Sequence, residues 1–433
     1  MNARAITRSG SLHSERPSVY LDQWVWIRLA RAALGRPDRA EDVDVLEEIR
    51  QASNDGVAFP LSTTHYVETA RITDPRQRND LVAVMAPISN CRTLRSSRVL
   101  LRHQFLEAMH ETVGRPAFRP RRPEVLGLGV HWAFIGEQVQ LRVYDQSGRV
   151  NEDNDAELRR WLRHANQYAQ ASLLAGPADE DVEELRAHGY APEVVVDSTQ
   201  SRVAWEGWLA NRLKDGPPSR DELRVWLLAR ELTHEYLDLL NQLLAEYGLS
   251  MSTLAGGSAD IPKVTRPRMV AFAERIPTLR IAAELKLEVF RNRQRSWTVN
   301  MLHDIDALSH VIPYCHVVVA DRDAVDLLRR TRAHDRSGTA VVSQLSELRS
   351  LLPDLRAAAR SLGGDPTGWD GIGPGVGFQL MKPPALRPSS AGFAEPEQST
   401  LQPIDRASLR RCHWAVQGTE SASRRRGGGR AST

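Results

Sequence analysis

The chain has 433 residues, 41% hydrophobic and 26% charged, which describes a globular protein with room for a large core and excludes a disordered or fibrous class. A formal net charge of +3 is too small at this length to announce a nucleic-acid binder by itself. Of the 57 basic residues only Lys214, Lys263, Lys286 and Lys382 are lysines, so anion contacts fall to guanidinium groups, whose planar fork suits phosphate.

Residues 1–17 are polar and read as a flexible N-terminus; their lack of an apolar segment argues against a signal peptide. Val19, Tyr20 and Leu21 then form a short apolar run closed by Asp22, and a helical pattern follows through Trp24, Trp26, Leu29, Ala30 and Ala33. A lone Asp at that place is ordinarily a helix N-cap. GVAFPLS (56–62) reads as a buried strand bounded by Gly56 and the polar Ser62-Thr63-Thr64, with a helix after it carrying His65, Tyr66 and Glu68. Asp74-Pro75 restarts a helix, Asp as cap and Pro at its first position.

The stretch 94–279 is Arg-rich and mostly helical in pattern. Ser219-Arg220-Asp221-Glu222 is a capping box opening the amphipathic run 223–248, while 129–145 is expected to hold one or two strands. His234-Glu235 lacks the second His that a zinc-binding helix requires. From 280 the alternation resumes: a helix over IAAELKLEVFRN, another over MLHDIDALSHVIPYC ended by Pro313, a strand HVVVAD closed by Asp321, a helix, a short strand at 339–343 and a last helix. Beyond about 356 Pro, Gly, Ser and Ala dominate. That tail reads as disordered, and the alternating glycines of GIGPGVG lack the flanking strand and helix of a phosphate loop.

The predicted fold is therefore α/β, a parallel sheet covered on both faces, built from 18–93 and 280–355 and interrupted by a helical insertion lobe at 94–279. In such a sheet the working site lies beyond the carboxyl ends of the strands. Asp22 and Asp321 stand there, Glu68 lies on the helix after the second strand, and Asp304 and Asp306 open the helix before the strand 316–320. Carboxylates brought together repel by roughly 4 kcal/mol at about 4 Å and an effective dielectric of about 20. Neutralising them takes a cation, and oxygen-only ligands select Mg²⁺ or Mn²⁺, the ions of phosphodiester hydrolysis. Arg71, Arg78 and Arg322 are placed either to bind phosphate near the site or to form salt bridges, and Trp24 and Trp26 either to pack or to stack on bases.

In order, YLDQWVWIRLA, PLSTTHYVETA, DIDALSHVIPYC and VVVADRD resemble the PIN-domain nucleases. The resemblance implies a three-layer α/β/α sandwich binding divalent metal through three or four acids. Asp22 corresponds to the first acid, Glu68 to the second, Asp304 to the third and Asp321 to the fourth. Asp306 is the alternative to Asp304, although residues two apart on a helix point to different sides. Ser62 and Thr63 fall where the family often places a small hydroxyl. The implied activity is metal-dependent cleavage of single-stranded RNA, with DNA also open, by a cytoplasmic toxin or defence factor. Expected partners are the nucleic acid, an antitoxin or inhibitor protein, and a second copy as a homodimer. Met301 and His316 stand where related sites often carry further acids, and this favours a second reading, a PIN-like binding module without catalysis.

Two other classes fit less well. A phosphorelay receiver needs a Lys after a late strand, and none lies between Lys286 and Lys382. A dinucleotide-binding enzyme needs a Gly-rich turn after its first strand, which is missing here. Three widely separated cysteines, Cys91, Cys315 and Cys412, suggest no disulfide framework and no zinc site, in keeping with a reducing compartment. No run of 18 apolar residues predicts a membrane span.

Overall fold

The computed structural model describes residues 12–139, 156–187, 192–256 apart from 215 and 217, 266–292 and 294–362. The predicted tail beyond 362, including GIGPGVG, lies outside them, as do residues 1–11 and 140–145.

Strand β1 (Val19–Leu21) leads into α1 (Gln23–Ala33), followed by α2 (Glu41–Asn54), α3 (Thr63–Arg71) and α4 (Pro75–Ser89). Next come β2 (Arg92–Leu94), α5 (Ser97–Val113), β3 (Leu126–Leu128) and α6 (Gly129–Phe134). The helical stretch continues with α7 (Ala156–Ala175), α8 (Val182–Ala187), α9 (Pro192–Arg212), α10 (Arg220–Arg230), α11 (Leu237–Glu246), α12 (Met251–Leu254) and α13 (Arg266–Glu274). The chain closes with α14 (Pro277–Arg291), α15 (Val299–Val311), β4 (Val317–Val319), α16 (Arg322–Thr331), β5 (Ala340–Val342) and α17 (Leu345–Ser361).

The two ends of the chain build one sheet. β1 pairs in parallel with β4, Val19 opposite Val317 and Leu21 opposite Val319, and β4 pairs in parallel with β5. The 56–62 segment extends this sheet without forming a regular strand. Val19 N–H donates to the Ala58 carbonyl at 2.8 Å and Leu61 N–H to the Arg92 carbonyl at 2.8 Å, so the segment bridges β1 to β2. Pro60 interrupts it, having no N–H for a ladder. Beyond it β2 pairs antiparallel with β3.

Alternate residues of each strand feed opposite cores, as the twofold period of a strand requires. Val19, Leu21, Val317, Val319 and Val342 face α1, α2, α4 and α17, where Trp26 and Leu29 are fully buried. Tyr20, Val318, Ala320 and Val341 face α10 and α14 to α16. The sheet therefore has helices on both faces, and each large aliphatic or aromatic side chain so buried stabilises the fold by roughly 1.5–3 kcal/mol.

The insertion has a core of its own, in which Phe105, Met109, Leu243 and Phe272 pack together. It is less separate than expected: α7 lies against α3 and α4, α9 against α15, and α10 against α14. A buried charge cluster helps to join it on, with Lys286 of α14 donating to Glu231 at 2.6 Å and lying 3.3 Å from Glu206 of α9. The predicted continuous helix over 223–248 is broken at Glu231–Glu235 by a wide π turn, and Glu231 within it turns inward to Lys286.

Three further expectations are corrected. Residues 129–134 form a helix and not a strand, because β3 ends at Leu128 and Gly129 turns the chain at φ 79°. Residues 12–17, expected to be loose, dock on the sheet. His13 packs against His316 with ring centroids 4.6 Å apart and planes tilted by 47°, and Ser14 N–H donates to the Tyr314 carbonyl at 2.9 Å. The last helix runs past 355 to Ser361, its stripe of Leu345, Leu348, Leu352 and Leu355 continuing to Ala359. Among the described residues no helix is long and apolar enough to cross a membrane.

Candidate active site

Asp22 and Asp321 close neighbouring parallel strands. The Asp22 amide donates to the Val319 carbonyl at 3.0 Å, which ties the end of β1 to the end of β4. Each acid also caps the helix that follows: Asp22 accepts from Gln23 N–H and Asp321 from Ala324 N–H, both at 2.7 Å. Both acids are thus helix N-caps. A cap uses part of a carboxylate's acceptor capacity, and four lone-pair sites are available.

Glu68 of α3 and Asp304 of α15 complete the set. Burial raises Asp304 to about 7, and the negative charges of Asp22, Asp321 and Glu68 push in the same direction. Glu68 rises to about 7 through burial and the charge of Asp22, with Arg71 opposing. Asp22 rises to about 6, again chiefly by burial; the Gln23 amide opposes this and Asp321 adds to it. A carboxylate field at one sheet edge is thus shared by all four acids, although their positions span most of the folded chain. Among the described residues no group of three or more His, Cys, Asp or Glu side chains is drawn together as a ready-made metal cage.

Asp306 is directed elsewhere. Both its oxygens are held by Arg202 of α9, at 2.6 and 3.1 Å, and Arg202 also faces Glu235 at 3.4 Å. Of the two candidates on α15, Asp304 faces the other acids and Asp306 fastens the insertion.

Ser62 and Thr63 are occupied with building α3. Ser62 caps it in a box with His65, and Thr63 Oγ1 donates to the Ala133 carbonyl at 3.0 Å. Arg71 is exposed, and its charge reaches Glu68 and His303. Arg322 is exposed at the start of α16, directly after Asp321. Arg78 is buried and structural, donating to the carbonyls of Ile72 at 2.7 Å and Pro177 at 2.8 Å. Trp26 is fully buried and Trp24 packs on the same core, so both serve packing.

Four residues of the site escape a reading of the sequence. His65 is fully buried, its Nδ1 accepting from the Ser62 amide at 2.9 Å and its Nε2 donating to the Leu21 carbonyl at 2.8 Å. Tyr20 lies beneath the acids, its hydroxyl 3.4 Å from Ser62 Oγ, and its ionisation is suppressed by burial and by Asp22 and Glu68. Gln23 reaches Thr69 Oγ1 at 3.2 Å and leaves its own Oε1 buried without a protein partner. His303, beside Asp304, meets Thr199 Oγ1 at 3.3 Å. A Tyr within an otherwise aliphatic strand and a His three residues after a helix cap were the available signals.

No protein family matches this chain, and neither a curated protein nor a solved structure is similar to it.

Proposed function

We propose that the chain is a divalent-metal-dependent nuclease of PIN-like architecture that hydrolyses phosphodiester bonds in single-stranded RNA. The observation that carries this reading is the shared carboxylate field of Asp22, Glu68, Asp304 and Asp321 at the carboxyl edge of a parallel sheet. Such a set is oxygen-only and costly to ionise without a cation, which suits Mg²⁺ or Mn²⁺. When bound, the ion supplies charge neutralisation, a lowered water pKa and stabilisation of the leaving oxygen.

The chain's own residues do the rest. Asp22, Asp304 and Asp321 would hold the ion. Glu68, with its raised pKa of about 7, is suited to ligating or to orienting the attacking water near neutral pH. Arg71 and Arg322, exposed on either side of the acids, hold phosphate oxygens. Toxin, defence and processing roles all share this chemistry, and an antitoxin or inhibitor protein is the partner expected of the first two.

The absence of a preformed metal cage among the described residues favours one competing reading, a nucleic-acid-binding or protein-interaction module that keeps the fold without the reaction. An assay with Mg²⁺ or Mn²⁺ on single-stranded RNA and DNA, wild type beside Asp22→Asn, separates the two. Cleavage that needs the metal and disappears in the variant supports the nuclease. No cleavage, or cleavage unaffected by the variant, removes it.

A further inference from the structure

Helices α9, α10 and α14, with the segment that leads into α15, line a half-open cavity of about 510 Å³. Cavities of roughly 300–1,000 Å³ hold small organic molecules when apolar walls carry a few placed polar groups. The floor is made by Leu223 of α10, Phe290 of α14 and Trp297, the two aromatic rings having centroids 4.9 Å apart. All three belong to the core beneath. On the α9 side the wall is Gly207 and Ala210. A glycine inside a helix is destabilising relative to alanine, so its presence there calls for a reason. A Cβ at Gly207 would meet nothing within 4 Å, so no neighbour in the chain requires its smallness. What that smallness keeps open is the cavity.

The rim is cationic. Lys214 just past α9, Arg291 at the end of α14 and Arg295 line the cavity, and among the described residues no Asp or Glu does. Lys214 Nζ donates to Asn211 Oδ1 at 2.9 Å and meets no carboxylate among the described residues. Arg291 stands 3.4 Å from Glu288 and Arg295 3.0 Å from Asp323, both acids lying outside the lining. Each guanidinium has five N–H groups, so donors remain for a further anion. The Asp323 side chain is 79% exposed, which makes its hold on Arg295 weak. A bare inorganic anion would leave the apolar floor wet, and a neutral apolar molecule would leave the rim charges unmatched. The complement of both is an anion on an apolar body.

We propose that this cavity binds a small amphiphilic anion, its apolar body seated on Leu223, Phe290 and Trp297 and its phosphate-like head held by Lys214, Arg291 and Arg295. The site is independent of the nuclease reading, since none of the four acids lines it. Because its walls come from both the insertion and the second half of the core, an occupant fastens α9 and α10 to α14.

The test uses the full chain and isothermal titration with naphthyl phosphate, octyl phosphate, inorganic phosphate and neutral naphthol. At least one organic phosphate is expected to bind at a single site, about tenfold or more tighter than inorganic phosphate or naphthol. Which of the two binds better tells a flat body from a chain. Gly207→Leu places a side chain in the cavity and is expected to weaken that binding about tenfold or more. Its circular dichroism melt stays unchanged or rises, because leucine favours a helix over glycine. Lys214→Gln, a change at an exposed residue that leaves the core untouched, weakens the organic phosphate about fivefold and leaves naphthol unchanged. The proposal is overturned if neither organic phosphate binds at millimolar concentration, or if inorganic phosphate or naphthol binds as tightly. Full affinity in Gly207→Leu, or in Lys214→Gln, overturns it as well.

Discussion

His65 joins the two halves of the acid site: its Nε2 proton is given to the Leu21 carbonyl at 2.8 Å, on the residue before Asp22. The other nitrogen takes the Ser62 amide, so one neutral ring fixes the end of β1 against the start of α3 and thereby sets Glu68 relative to Asp22. Burial holds its pKa down to about 4, in keeping with that single tautomer. His65→Ala removes two buried hydrogen bonds and opens a cavity beside Trp26, and is expected to destabilise the fold by about 2–4 kcal/mol. Urea unfolding checks this; a loss below about 0.5 kcal/mol means the ring is dispensable.

Asp22→Asn keeps a good N-cap and removes one charge from the field. Without divalent ions the variant is expected to be more stable than wild type, by about 1 kcal/mol once solvent screening is allowed for. With Mg²⁺ added, wild type gains thermal stability and the variant gains much less. Calorimetry with and without EDTA reads both effects. Identical responses of the two proteins would show that Asp22 does not feel the ion.

The pH dependence has two opposing parts. Asp22, Glu68 and Asp304 have folded-state values of about 6, 7 and 7 against ordinary values of 3.8, 4.5 and 3.8. Raised values favour the folded state at low pH, and that stability is lost as pH climbs from about 4 through 7. His13, His65 and His316 are held down to about 4, 4 and 3, so their stability is present above 6.5 and lost as pH falls below it. Comparing metal-free wild type with Asp22→Asn/Glu68→Gln/Asp304→Asn isolates the acids: the variant's advantage grows between pH 4 and pH 7. Stabilisation by Mg²⁺ is correspondingly larger at pH 8 than at pH 5. An advantage that stays flat with pH refutes the shared field.

Asp304 and Asp306 are predicted to fail differently. Asp304→Asn loses cleavage and leaves the melt unchanged or higher. Asp306→Ala leaves Arg202 partly buried without its bidentate partner and costs about 1–2 kcal/mol, its half-exposed setting moderating the larger penalty of a fully buried pair. Melting curves and a cleavage assay on the same two variants separate the roles. The reverse pattern, cleavage tracking Asp306, would place the wrong acid in the pocket.

Much of the sheet was legible because β1 and β4 are short apolar runs closed by Asp, and because parallel strands buried on both faces carry that signature. Asp22 and Asp321 were legible as strand-closing helix caps for the same reason, whereas Glu68 and Asp304 lie within helices α3 and α15, where a carboxylate is commonplace by itself. Asp306 was not legible, since its fate depends on Arg202, which is far away in the chain and reaches it only through the packing of α9 on α15. His65 was hidden too: nothing local says that a histidine in a first helical turn will reach across to the Leu21 carbonyl. The π turn at Glu231–Glu235 has the apolar spacing of an ordinary helix, and the inward pull of Lys286 is a tertiary fact. Pro60 was visible in the 56–62 segment; its consequence, bridges in place of a ladder, emerged only with the neighbours on both sides.

The pairing of Val19 with Val317 carries a temporal consequence. A nascent chain displays β1, Asp22 and Glu68 long before their partners exist. At ordinary elongation speeds the ribosome needs roughly a quarter of a minute to a minute to reach β4. Until then the first strand has no partner on that side, and the carboxylates of the opening segment remain dispersed in water. The four acids are therefore brought to one sheet edge late, when Asp304 and Asp321 are made.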